Sequence, residues 1–179
     1  MPLVPSYIKN LASYKPGLRM DDVKRDKGLD QTIKLDPNEN SMGPAPLAIA
    51  AIASAMQKVN RYPDATGTAL RTKLAKNFDV KIENVIIGAG SEGIMSNILR
   101  TFLLGDDEIV ASADSFIGFR VMANATGRSI HWVPMKNHHI NLDGIVEKIN
   151  DYTKIIYIAN PDNPMGTYIT KEKYDKFYA

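Results

Sequence analysis

The sequence predicts an α/β fold, a mostly parallel sheet covered by helices. Two observations carry this. The apolar runs Val85–Ile87, Glu108–Ala113, Ser129–Val133 and Lys154–Ala159 show little polar alternation, which is the pattern of strands buried on both faces. Between them lie segments with helical spacing, so strand and helix alternate along the chain.

The elements follow in order. Residues 1–45 are rich in turn formers (Pro2, Pro5, Pro16-Gly17, Gly28, Pro37, Gly43-Pro44), and only Thr32–Leu35 reads as a strand. This is an extended arm or part of a small subdomain, set apart from a larger domain over 46–179. From Pro46, suited to a first helical turn, Leu47, Ile49, Ile52, Ala53, Met56 and Val59 keep helical spacing. Asn60-Arg61-Tyr62-Pro63-Asp64 breaks that helix, because a residue before proline is pushed out of the α region. A helix over Ala69–Phe78 leads to the Val85–Ile87 strand and a helix over Ser91–Phe102. Gly105-Asp106-Asp107 turns into the next strand, Ser115–Ala125 forms a helix stopped by Gly127, and Leu142–Ile149 forms another. Thr170 caps a last helix that carries Tyr174, Phe177 and Tyr178 to the end of the sequence. That ending inside a helix with an apolar stripe, with four strands in hand, favours the front part of a longer enzyme over a small complete domain.

Composition excludes several functions. Lys and Arg number 22 against 20 Asp and Glu, a formal charge of +2, too balanced for nucleic acid as the main partner. With no cysteine there is no disulfide, thiolate metal site or cysteine nucleophile. His131, His138 and His139 lack metal-site spacing, so no metal is expected. The first 28 residues lack the apolar block of a signal peptide, and no run approaches the ~20 apolar residues that span a bilayer. A soluble, cytoplasmic protein is expected.

Chemistry concentrates at two turns. Gly88-Ala89-Gly90-Ser91-Glu92-Gly93 delivers a strand into a helix through glycines, aiming free N–H groups and the positive end of the helix dipole at one spot. This is an anion cup. The spacing of Gly88, Gly90 and Gly93 also fits a dinucleotide fingerprint, with Asp114 standing where a ribose-binding acid belongs, so an NAD-type module competes with a phosphate cup for another cofactor. Asn160-Pro161-Asp162-Asn163-Pro164-Met165-Gly166 follows a buried strand at its carboxyl end, where open α/β sheets bind ligands, and its two X-Pro steps can aim an Asn side chain. Phe116, at another strand's carboxyl end, could stack on a flat heterocycle.

Five motifs in one order, Tyr14-Lys15-Pro16-Gly17, Leu35-Asp36-Pro37-Asn38-Glu39-Asn40, Asn60-Arg61-Tyr62-Pro63-Asp64, Gly90-Ser91-Glu92 and the Asn160–Gly166 loop, resemble histidinol-phosphate aminotransferase. That group belongs to the class I/II, fold type I, pyridoxal-phosphate enzymes, and the resemblance covers essentially the whole chain. It implies the front part of the large transferase domain, with the 1–45 arm and small-domain segment before it. It implies pyridoxal 5'-phosphate as cofactor, held by Gly90, Ser91 and Glu92 at its phosphate, by Phe116 stacked on the ring and by Asn163 on the ring's 3-hydroxyl oxygen. By the same resemblance Tyr62 reaches the phosphate in a neighbouring subunit, which implies a homodimer, and Tyr14 with Asn38, Glu39 and Asn40 closes over substrate. The implied reaction moves an amino group from a small-molecule donor to a 2-oxo acid, in histidinol phosphate's case within histidine biosynthesis. Glu92-Gly93 in place of Asp-Glu, and Met165 in place of Thr, leave other class I/II donors open. The Schiff-base lysine and the acid on the pyridine nitrogen would follow Ala179, since Lys171 and Lys173 come too soon after the Asn-Pro loop. The chain alone is therefore expected to be inactive.

Overall fold

A computed structural model describes residues 3–12, 17–35 and 38–179. Its sheet is built on β1 (Glu108–Ser112), whose Ile109, Val110 and Ala111 are wholly buried. Both faces of this strand are covered, as its unbroken apolar character requires. β2 (Ile130–Val133) and β3 (Thr153–Tyr157) pair with it in parallel on either side, giving the order β2-β1-β3.

Successive side chains of a strand point to opposite faces, and β1 uses both. Ile109 and Ala111 pack with Leu99 and Leu103, and with Phe119 and Ala123. These belong to α5 (Gly90–Phe102) and the residue after it, and to α6 (Ile117–Ala125). Val110 turns the other way, to Val133 and to Ile145 of α7 (Leu142–Val146), with Phe177 of α8 (Lys171–Tyr178) beside them. At the amino ends of the strands, Glu108 accepts from Asn150 (2.9 Å) and lies 2.7 Å from His131 Nε2, tying the three strands together. The Asn150 hydrogen bond first, then His131, holds the Glu108 carboxyl below its ordinary range.

The contacts divide the chain into Met1–Tyr14 with Ile86–Ala179, and Lys15–Val85, a partition unlike 1–45 and 46–179. In the first unit, α1 (Ser6–Lys9) lies against α6, with the Tyr7 ring over Gly127. A Cβ on Gly127 would stand 2.7 Å from that ring, and its φ of +69° is itself unfavourable for other residues. The second unit holds α2 (Met20–Lys27), α3 (Pro46–Ala55) and α4 (Thr68–Phe78). Arg71 of α4 donates to the carbonyls of Ile82 and Val85. Ahead of α4, Asp64 accepts from the Thr66 N–H and hydroxyl and from the Thr68 N–H, which fixes the turn after Tyr62-Pro63.

Three expectations need correction. Val85–Ile87 is not a strand: Val85 is extended, with φ −112° and ψ 118°, but none of the described strands lies beside it to exchange ladder bonds. The sheet of described residues therefore has three strands and not four. Thr32–Leu35 likewise has no ladder partner among the described residues, and Ile33 and Leu35 are exposed. Conversely, residues 20–27 form α2, with Asp21 and Asp22 in its first turn, basic residues in its last, and Gly28 as a left-handed cap. Two helices are also shorter than expected: α6 begins at Ile117, and α7 ends at Val146 in turn-type bonds through Ile149.

Candidate active site

Three segments meet at the carboxyl edge of the sheet. The first is the amino end of α5. Gly90 has φ +69°, and nothing lies within 4 Å of where its side chain would be, so the turn is open to an approaching group. The Gly90 N–H is used locally, on the Gly88 carbonyl at 2.8 Å. The N–H groups of Ser91 and Glu92 have no acceptor among the described residues. Two unmet donors at the positive end of a 13-residue helix make an anion cup.

The second segment is Ser115–Gly118, between β1 and α6. Phe116 is the residue before α6 (φ −53°, ψ 116°), half-buried, with its ring lying on Gly118. A Cβ on Gly118 would fall 2.6 Å from Phe116 Cε1 and 2.8 Å from Glu92 Oε1. The absence of a side chain at 118 thus lets the aromatic ring and the first turn of α5 come together.

The third segment is the Asn160–Gly166 loop, in which both Asn-Pro bonds are cis. Asn160 is spent on closing the loop: its Oδ1 accepts from the Ile169 N–H at 2.9 Å. Asn163 is exposed, and its side chain has no hydrogen-bond partner among the described residues. Between them Asp162 is only 4% exposed. It accepts from the Ser115 hydroxyl at 2.5 Å and from the Met165 N–H at 3.2 Å. Beneath this junction Tyr157 stacks on Phe119 with centroids 3.6 Å apart. Burial, and then the Asp162 carboxylate, push the Tyr157 phenol above its ordinary pKa.

Gly90, Ser91, Glu92, Phe116 and Asn163 are therefore brought to one edge. Tyr62, fully exposed, and Asn38, Glu39 and Asn40 belong to the Lys15–Val85 unit. There Asn40 makes a local turn, accepting from the Met42 N–H and donating to the Gly43 carbonyl, and Glu39 lies 3.9 Å from Lys34. Tyr14 lies outside the described residues, as do Asp36 and Pro37 of the second motif. Sequence reasoning passed over Asp162 and Ser115. The signal for Asp162 was present, since it is the one acid of the Asn160–Gly166 loop and stands between its two Asn-Pro steps.

The dinucleotide reading fails on topology. It needs the strand before the glycine turn to pair with β1, and Val85–Ile87 pairs with no described strand. No group of acidic or histidine side chains among the described residues could hold a metal, and no helix of the described residues is long and apolar enough to cross a membrane.

The chain is 39% identical, over 99% of its length, to histidinol-phosphate aminotransferase of Anaeromyxobacter sp. strain Fw109-5, covering 49% of that protein. It is 36% identical over its whole length to the protein of the same name from Halalkalibacterium halodurans, covering 48%. Among solved structures, histidinol-phosphate aminotransferase from Sinorhizobium meliloti in complex with pyridoxal-5'-phosphate superposes with a TM-score of 0.84 at 25% identity, over 99% of this chain and 48% of that one. The chain spans about half the length of the curated relatives it matches. The model of the family described as aminotransferase class I and II matches residues 30–179, and the chain belongs to that family.

Proposed function

We propose that this chain carries the phosphate cup and the ring-holding side chains of a pyridoxal-phosphate-dependent aminotransferase acting on histidinol phosphate and 2-oxoglutarate. One observation carries the reading. The unmet N–H groups of Ser91 and Glu92, the Phe116 ring and the unpartnered Asn163 amide gather at one edge through the Glu92–Gly118–Phe116 and Ser115–Asp162 contacts. The donors suit a phosphate, the aromatic face a flat heterocycle, and the amide a ring oxygen.

When bound, pyridoxal phosphate supplies an electron sink for bonds breaking at the substrate's α carbon. In this reading the Ser91 and Glu92 N–H groups bind its phosphate, Phe116 covers one ring face, and the Asn163 amide donates to the ring oxygen. The resemblance adds Tyr62 as a donor to a second subunit's phosphate in a homodimer, and Tyr14 with Asn38, Glu39 and Asn40 as a cover over the substrate. Neither Lys171 nor Lys173 is assigned the proton-transfer role. Lys171 Nζ is 2.5 Å from Asp175 Oδ2, and Lys173 leaves the loop on α8. The 179-residue chain should therefore bind the cofactor without transferring amino groups.

The test titrates the chain with pyridoxal phosphate and follows the fluorescence of Trp132, its single tryptophan. Saturable quenching that pyridoxal without phosphate does not reproduce is expected. Gly90→Ala, which forces a residue with a side chain to φ +69° at a cost of about 1–2 kcal/mol, should weaken it roughly 5-fold or more. Equal binding of the phosphate-free compound would overturn the reading, as would amino transfer by this chain alone. Histidinol phosphate and aromatic amino acids, offered to the protein as its gene encodes it, test the donor.

A further inference from the structure

Asp162 is a buried carboxylate with no cation beside it among the described residues. Burying a charge without a counter-ion is costly unless hydrogen bonds replace the lost water. Here they come from two directions. The Ser115 hydroxyl reaches Oδ1 across 47 positions of sequence, and the Met165 N–H reaches Oδ2 from within the loop. The backbone of Asp162 is held as well: its N–H donates to the Thr167 carbonyl (2.8 Å) and its carbonyl accepts from Gly166 N–H (2.9 Å).

The neighbours of these two residues give the arrangement its meaning. Ser115 directly precedes Phe116, and Asp162 directly precedes Asn163. One charge-assisted bond therefore joins the loop that bears the ring-covering aromatic to the loop that bears the ring-oxygen amide. Phe116 and Asn163 themselves are only half-buried and exposed, so packing alone does not fix their separation. α6 starts directly after these residues, with Phe116 outside helical dihedrals at φ −53° and ψ 116°.

We infer that Asp162 and Ser115 form a latch that sets the spacing of Phe116 and Asn163, acting as positioning residues for the ring of the cofactor and leaving its phosphate to the α5 cup. The inference rests on the cofactor assignment above. It assigns the two ends of one ligand to two independent devices. Losing the latch should weaken recognition of the ring while leaving recognition of a bare phosphate intact.

The experiment uses the 179-residue chain and its Ser115→Ala, Ser115→Thr and Asp162→Asn variants. Ser115→Ala leaves the carboxylate with one donor and should weaken pyridoxal phosphate binding on the order of 10-fold. Inorganic phosphate, measured by its competition, should bind as in the parent chain. Ser115→Thr keeps the hydroxyl and should restore tight binding. Asp162→Asn can still accept from Met165 and donate to Ser115, without the charge, and should fall between. Independently of any ligand, exchange of the Met165 amide should quicken in Ser115→Ala. Unchanged Met165 exchange would overturn the latch even if the parent chain binds no cofactor, an outcome that would separately overturn the functional assignment. Equal weakening of inorganic phosphate and cofactor would also overturn it, by showing general damage in place of positioning.

Discussion

Replacing Gly118 by alanine separates stability from recognition. Gly118 is the second residue of α6, and its φ is outside the left-handed region, so alanine fits the backbone. On helix propensity alone the change stabilises by up to about 1 kcal/mol, or a rise in Tm of roughly 2–4 °C at this chain length. The new methyl would stand 2.6 and 2.7 Å from two Phe116 ring atoms and 2.8 Å from Glu92 Oε1. Comfortable carbon contacts lie at about 3.5–4.0 Å, so the ring must retreat by about 1 Å. Glu92, a flexible side chain, can swing away; Phe116 cannot do so without leaving the position proposed for ring stacking. An aromatic pair is worth roughly 0.5–1.5 kcal/mol beyond its area, so pyridoxal phosphate affinity should fall about 2- to 12-fold. Circular dichroism melting and the Trp132 titration measure the two effects side by side. Unchanged affinity would refute the assignment of Phe116 to the ring. A fall in Tm of several degrees would refute the claim that the conflict is confined to two side chains.

Two further substitutions probe the framework. Asp64→Ala removes the acceptor of three Thr66 and Thr68 donors and should loosen the turn after Tyr62-Pro63, seen as faster amide exchange at Thr66 and Thr68. The hydrogen bond from the Thr66 side chain, first among several, holds the Asp64 pKa below its ordinary value. A carboxyl depressed on folding adds stability in full above its unfolded pKa of about 3.9, and that stability drains away as pH falls below it. The parent chain should thus lose helix around Thr68 on acidification below about pH 4, and Asp64→Ala should not show that dependence. Gly127→Ala combines a left-handed φ with eviction of the Tyr7 ring. It should lower Tm by several degrees and open residues 3–12 to proteolysis, whereas Tyr7→Ala should open them with a smaller loss.

The parts of the fold that were legible in the sequence are those where one face or one turn decides the outcome. Ile109, Val110 and Ala111 read as a doubly covered strand because nothing polar interrupts them, and they are buried on both faces. Val85–Ile87 carries the same apolar signal, but a strand is a relation between two segments, and none of the described strands pairs with this run. α2 shows the reverse. Met20–Lys27 has hardly any apolar stripe to read, yet its acidic first turn, basic last turn and terminal Gly28 were all available. At the site, the motif residues were readable because backbone chemistry limits who can stand there: glycine at a left-handed φ, asparagine and proline in a tight loop. Asp162 and Ser115 were not, since their roles come from a contact 47 positions apart. Only the placing of one acid between two Asn-Pro steps hinted at the carboxylate.

The Tyr7 ring resting in the Gly127 notch also sets a timetable. About 120 residues separate the two partners, and the whole Lys15–Val85 unit lies within that interval. Closing so long a loop costs roughly 4 kcal/mol in chain entropy before any contact compensates. A ribosome adding about 5–20 residues per second needs some 6–24 s to make Gly127 after Tyr7. During that wait α1 lacks the Gly127 notch, while the Lys15–Val85 unit has time to fold. The α1 segment, synthesised well before its partner, is thus among the last to settle.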